Sequence, residues 1–98
     1  MAEATAERER DTLRVYGDLD FASVLTLWNA TESLFADRAP TRIDLSGVSH
    51  ANSAGVALLV AWLSRIQSAR QTVTFVNVPA QMQAIIAVAD LDTVLPLG

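Results

Sequence analysis

The sequence predicts an α/β fold: a small sandwich with a mostly parallel central sheet that carries its helices packed mainly on one face. Three observations lead there. Segments with strand character alternate with segments of helical spacing, in the order β, α, β, α, β, α and a tail. The links between them are short, which implies right-handed crossovers joining parallel strands. The chain has 98 residues, of which 51% are apolar. That length fits one domain with a modest core and little room for a deep internal active site. The composition is far from that of a disordered chain.

Residues 1–10 read as a frayed lead-in that ends at most in a weak edge strand. In "TLRVYGDLD", Leu13, Val15 and Leu19 suggest a strand with one buried face, and Gly17 marks a bulge or bend. "FASVLTLWNATESLF" places Val24, Leu27, Trp28, Thr31 and Phe35 on one helical stripe. Asp20 is placed to cap that helix, and Pro40 ends the segment by disfavouring helix at Ala39. In "TRIDLSGV", Ile43 and Leu45 alternate with Arg42 and Asp44 until Gly47 breaks the run. A helix over about 54–69 follows. "TVTFVNV" is a strand rich in β-branched residues. Pro79 suits the first turn of "PAQMQAIIAVADL", and "TVLPL" closes as a short strand or extended tail. The whole, 1–98, is expected to be a single domain.

Charge and composition exclude several functions. The formal net charge is -4 and every basic residue is Arg. An acidic chain without a basic cluster argues against nucleic-acid binding and against adhesion to anionic lipid. With no Cys, disulfides, thiolate metal sites and thiol catalysis drop out, and the chain is consistent with a cytoplasmic setting. "MAEATAERERD" has no apolar stretch and does not read as a signal peptide. The uncharged run Ala51 to Ser64 is well short of the roughly 20 residues needed to span a bilayer, so no direct membrane insertion is expected.

Catalysis finds little support. Asp44, His50 and Ser53 contain the residue types of a triad, yet the pattern Gly-x-Ser-x-Gly is absent. His50 has no second His and no Cys near it, which leaves no metal site. No phosphate-binding loop is present, so ATP hydrolysis would have to come from a partner. Asp18, Asp20, Asp90 and Asp92 read as caps and turn residues. The expectation is no catalytic residue, no cofactor, no metal and no small-molecule substrate.

The informative stretch is "SHANSAGVALLVAWL", residues 49–63. Ser53 stands where a polar loop enters a helix. As an N-cap its hydroxyl would accept a backbone amide, a role worth about 1 kcal/mol that by itself accounts for a Ser. Asn52 would do the same with the boundary shifted by one. The same place is a helix N-terminus at the carboxyl end of a parallel strand, where open α/β sheets put their sites. A hydroxyl there is open to phosphorylation or to a partner. In the helix body, Val56, Leu59, Val60, Leu63 and Ile66 form one stripe. Leu58 and Trp62 lie on the opposite flank. A helix apolar nearly all round is either covered twice or packs on a partner. For Trp62 a core role and an interface role both remain open. Trp28, on its own helix stripe, belongs to the core.

The segment "IDLSGVSHANSAGVALL" resembles the STAS family, the sulfate-transporter and anti-sigma-factor-antagonist domains. The family loop reads Asp-Ser-Ser-Gly-Leu or Asp-Thr-Gly-Gly-Leu; here it is Asn52-Ser53-Ala54-Gly55-Val56. Ser53 falls on the family's phosphoacceptor position and Gly55 on its glycine. The resemblance runs from about Leu13 to Leu97. Through "GDLDFASVLTLW", "GVALLVAWL" and "DTVLPL" it leans to one branch, the cytoplasmic STAS subunit of the Mla lipid-asymmetry ABC transporter (MlaB-like). The resemblance implies a non-catalytic subunit that binds the transporter's ATP-binding subunit and supports it. The assembly would maintain outer-membrane lipid asymmetry in a Gram-negative cell. The chain would be cytoplasmic and peripheral on the inner membrane through that partner. Asn52, Ser53, Ala54, Gly55, Leu58 and Trp62 would form the partner-binding surface. The alternative is an anti-sigma-factor antagonist switched by phosphorylation at Ser53. The family's Asp before the hydroxyl is Asn52 here, which removes a negative charge and favours docking over a kinase substrate.

Overall fold

The computed structural model describes residues 3–98. Strand β1 (Thr5–Glu9) turns through Arg10 and Asp11 into β2 (Thr12–Leu19). Helix α1 (Val24–Thr31) and a 3-10 turn (Ser33–Phe35) lead to β3 (Arg42–Ala51), then α2 (Ser53–Ser68), β4 (Thr74–Val76) and α3 (Ala80–Val88). The sheet order is β1-β2-β3-β4. β1 is antiparallel to β2, whereas β2–β3 and β3–β4 are parallel, as crossovers through α1 and α2 require. The sheet is therefore mixed.

The mixed character comes from the segment expected to be a lead-in. Residues 1 and 2 lie outside the described residues, but residues 5–9 pair fully with β2, from Thr5↔Tyr16 to Glu9↔Thr12. Its sequence, TAERE, has no strand propensity to announce it. What holds it is tertiary. Ala4 and Ala6 pack against the core, and the Arg8 guanidinium reaches the carbonyl oxygens of Leu34 (2.6 Å) and Arg38. Arg10 takes the left-handed conformation, φ 58°, that a two-residue hairpin loop demands.

On β2, Leu13, Val15 and Leu19 are fully buried while Arg14 is exposed, so one face carries the core and the other meets solvent. Buried residues of all three helices join that single cluster. Gly17 has φ 94°, and a Cβ there would fall 2.1 Å from the Glu3 carbonyl oxygen. Only glycine fits this bend, and the register shifts directly after it.

Gly47 was expected to break the third strand, yet β3 runs on to Ala51. Two irregularities keep it in register. Arg14 and Tyr16 pair with Asp44 and Gly47, and Gly17 and Asp18 with Val48 and His50. Each gives β3 an extra residue and re-phases its side chains, so that Ile43 and Leu45, then Val48, all face inward. β4 is shorter than the β-branched run suggested, since Asn77 turns left-handed at φ 56°. The terminal segment does extend: Leu97 bridges Phe75 in parallel, with the Phe75 amide donating to Pro96 O (2.9 Å).

Candidate functional site

β3 and α2 meet in one tight corner. The Asn52 amide donates to Leu19 O (3.1 Å), which fixes the corner to β2. The Asn52 side-chain oxygen accepts from the Ala54 amide (2.8 Å), and its main-chain oxygen accepts from Gly55 N (3.0 Å). Asn52 is therefore the N-cap, with extended backbone at φ -111°, ψ -165°. Of the two capping assignments open in the sequence, the one-residue shift is the one adopted. Ser53 is the first helical residue, and its hydroxyl has no hydrogen bond to any described residue. It is exposed, at a helix end with no acidic side chain in the first turn.

The remaining expected contact residues divide. Gly55 is buried, and a Cβ there would sit 3.0 Å from Leu19 Cβ and 3.3 Å from Ala51 Cβ. Its role is to let α2 approach the sheet closely. Trp62 is fully buried. Its ring stacks on Phe35 with centroids 6.3 Å apart, and its indole nitrogen donates to Thr31 Oγ1 (3.2 Å). Of the two roles left open for Trp62 the core one is adopted, and the placing of Leu58 and Trp62 in a partner-binding surface is corrected: α1 and the 3-10 turn cover that flank. Only 4% of Leu58 is exposed. The two-sided apolar character of α2 reflects burial on both sides, against the sheet and against α1.

An apolar surface does exist, one step from where the sequence placed it. Phe21, Val24, Leu25 and Trp28 from the α1 side face Ala54, Ala57, Leu58 and Ala61 from α2 across an open groove of about 300 Å³. Ala54 and Leu58 form its floor, being nearly buried themselves. Phe21 is 75% exposed and Leu25 65%. Sequence reasoning missed both. Phe21 precedes the helix and Leu25 lies off the core stripe, and a large apolar residue off its stripe was the signal available. Trp28 is only partly buried. Ala54, the first groove residue of α2, directly follows the exposed Ser53, and Ala57 lies one helical turn beyond Ser53.

Asp20 shapes the turn that enters α1, while the N-cap itself is Ser23 rather than the expected Asp20. Its Oδ1 accepts from the amides of Ala22 (3.0 Å) and Ser23 (2.9 Å), and its own amide donates to Ser23 Oγ (3.0 Å). The imagined triad is not assembled. His50 Nδ1 lies 3.3 Å from Asp18 Oδ1. Asp44 is engaged by Asn77 Nδ2 (3.0 Å) and the Ser46 amide (2.9 Å). Among the described residues no group of His, Asp and Glu is placed to hold a metal ion, and no helix is long and apolar enough to cross a membrane. The face can grip another protein through apolar area and a free hydroxyl.

Comparison with known proteins is consistent with this geometry. A family model described as "Mlab, STAS domain" matches residues 2–96. Among solved structures, an anti-sigma factor antagonist from Mycobacterium paratuberculosis superposes with a TM-score of 0.77 at 24% identity, covering 99% of this chain and 85% of that one. A STAS domain protein from Planctomyces limnophilus, also titled an anti-sigma-factor antagonist, gives 0.71 at 23% identity, covering 100% and 90%. The Bacillus cell fate determinant SpoIIAA in its phosphorylated form gives 0.67 at 18%, covering 97% and 90%. At these identities the structural likeness speaks to the fold. No curated protein matches the chain.

Proposed function

This chain belongs to the STAS family, within the model described as "Mlab, STAS domain", and on that premise we propose that it is a non-catalytic docking subunit of an ABC transporter. Its partner is the ATP-binding subunit of a system that moves phospholipid between membranes and maintains outer-membrane lipid asymmetry. The chain sits in the cytoplasm and reaches the inner membrane through that partner. One observation carries the reading: Phe21 and Leu25, exposed by 75% and 65%, wall a groove that reaches Ala54, the residue after the exposed Ser53. Large apolar side chains held open by helix packing are what a protein interface uses and what a solitary domain avoids. The family description, "Mlab, STAS domain", is what favours a transporter ATPase as the partner in this reading.

The test is co-expression with the ATP-binding subunit of a Mla-type transporter from the same cell, followed by co-purification and ATPase measurement. A stoichiometric complex that Leu25→Asp disrupts supports the reading. Failure of the wild-type chain to co-purify rejects it.

A second reading has its own support. The Ser53 hydroxyl is free because Asn52 does the capping, and the similar solved structures include anti-sigma factor antagonists, one of them phosphorylated. Phosphate at Ser53 would add about -1.5 to -2 charges to the rim of the groove and eject an apolar partner. Incubation with an anti-sigma kinase and ATP, followed by mass spectrometry, decides it: phosphoserine at Ser53 supports the switch, and an unmodified Ser53 removes it.

A further inference from the structure

We infer that the groove between α1 and α2 receives an amphipathic helix of the partner, and that a carboxylate at the edge of that helix's apolar face pairs with Arg65. The inference rests on the docking reading above and specifies what the partner must present.

Arg65 carries the argument. Its guanidinium lies 3.6 Å from the centroid of the Trp28 ring and 5.8 Å from that of Phe35. Stacking uses the flat face of the group, while its five N–H donors lie in the plane. Nη1 is closed off from solvent and has no hydrogen-bond partner among the described residues. Neither ion pair among the described residues, Arg38–Asp11 or His50–Asp18, involves Arg65. The cation is held in place by aromatic rings and has no ion-pair partner among the described residues.

Its position matters as much as its state. Trp28 and Ala61 both line the groove. Arg65 stacks on Trp28 and follows Ala61 by one helical turn, which puts it just past that end of a groove whose lining residues carry no charge. An occupant that fills the channel strips water from the remaining guanidinium donors. A wholly apolar occupant would leave a desolvated, unpaired cation, which is strongly unfavourable. A carboxylate at that end answers it with a charge-assisted, planar pairing. Arg and Trp are also among the residue types enriched at interface hot spots.

The occupant is a helix because of the walls. Both are helices whose backbone groups are already bonded internally, so an extended segment would find no edge to pair with. A helix brings its own backbone satisfied and offers side chains to a channel of about 300 Å³.

The experiment measures affinity for the ATP-binding subunit of the Mla-type transporter by calorimetry, with wild type, Arg65→Glu, Arg65→Gln and Arg65→Lys. Arg65→Gln keeps a planar group against Trp28 and serves should Arg65→Glu fold poorly. The expected loss is ~30-fold or more for Arg65→Glu and about 10-fold for Arg65→Gln, with Arg65→Lys between Gln and wild type. Changing each surface Asp or Glu of the subunit to Lys in turn is expected to find one that restores Arg65→Glu. Unchanged affinity of folded Arg65→Glu and Arg65→Gln, or the absence of any restoring partner, overturns the pairing and leaves the docking reading standing. No binding by wild type overturns the docking reading and the pairing with it. A wild-type dimer dissolved by Leu25→Asp would put a second copy of this chain in the groove and overturn the inference.

Discussion

The Trp62 indole N–H donates to the Thr31 hydroxyl at 3.2 Å, and that hydroxyl donates on to Leu27 O at 2.9 Å. Thr31 is a fully buried polar residue amid apolar neighbours. The pair ties α1 to α2 and so fixes the width of the groove between them. Thr31→Val fills the same volume but leaves the indole donor unsatisfied. It is expected to cost about 1–3 kcal/mol in chemical denaturation. Adding Trp62→Leu to Thr31→Val should show non-additive losses, because the second change removes the orphaned donor.

Gly55 offers a second stability test. Its missing Cβ is what lets α2 lie against Leu19 and Ala51 at 3.0 and 3.3 Å. Gly55→Val is expected to destabilise by about 1–3 kcal/mol through overpacking, lowering the denaturation midpoint. Because the corner moves with α2, it should also change the near-ultraviolet signal of the tryptophans.

Much of this architecture was legible in the sequence. Periodicity located α1, α2 and α3 and the buried faces of β2 and β3. β1 was not, because TAERE owes its strand to pairing with β2 and to the reach of Arg8 toward Leu34. That is tertiary context overriding local preference. The continuation of β3 past Gly47 was hidden for a related reason: its irregularities shift the alternation on which a strand assignment depends. The strand-to-helix corner at Asn52–Ser53 was legible as a helix start, while the tight packing of Gly55 against Leu19 and Ala51 was not. Leu58 and Trp62 were placed off the core stripe of the helix, and both are buried. Which flank a 98-residue chain covers depends on how far α1 folds over α2, and no single-helix pattern encodes that distance.

Asp44 makes a pH prediction. Burial pushes its carboxyl upward, but the hydrogen bonds from Asn77 and Ser46 and the charge of Arg14 outweigh that, and its pKa is held below the ordinary value. The ionised form is favoured by folding. Its contribution is therefore complete above the unfolded carboxylate pKa of about 3.9 and is lost as pH falls through the lower folded value. A carbon-detected titration should find a depressed midpoint for Asp44, moving upward in Asn77→Ala. An unshifted midpoint in that variant would mean the Asn77 contact does not act on the charge.

Ser53→Glu separates folding from docking. A carboxylate in the first turn of α2 interacts favourably with the helix dipole, by about 0.3–1 kcal/mol, and replaces no hydrogen bond of the hydroxyl. The melting temperature should hold or rise slightly. Affinity for the ATP-binding subunit should fall, since the new charge must be desolvated in the interface. Loss of stability would mean that Ser53 contributes to the fold in a way its exposed position does not convey.

The account centres on one face, the Asn52–Ser53 corner with the groove between α1 and α2. Amide hydrogen exchange, compared for the chain alone and in complex with the ATP-binding subunit, addresses that face most directly. New protection is expected in peptides covering residues 21–28 and 52–65, with the outer sheet strand and α3 unchanged. Protection confined to β1 or α3, with exchange at α1 and α2 unaltered by a bound subunit, would contradict it.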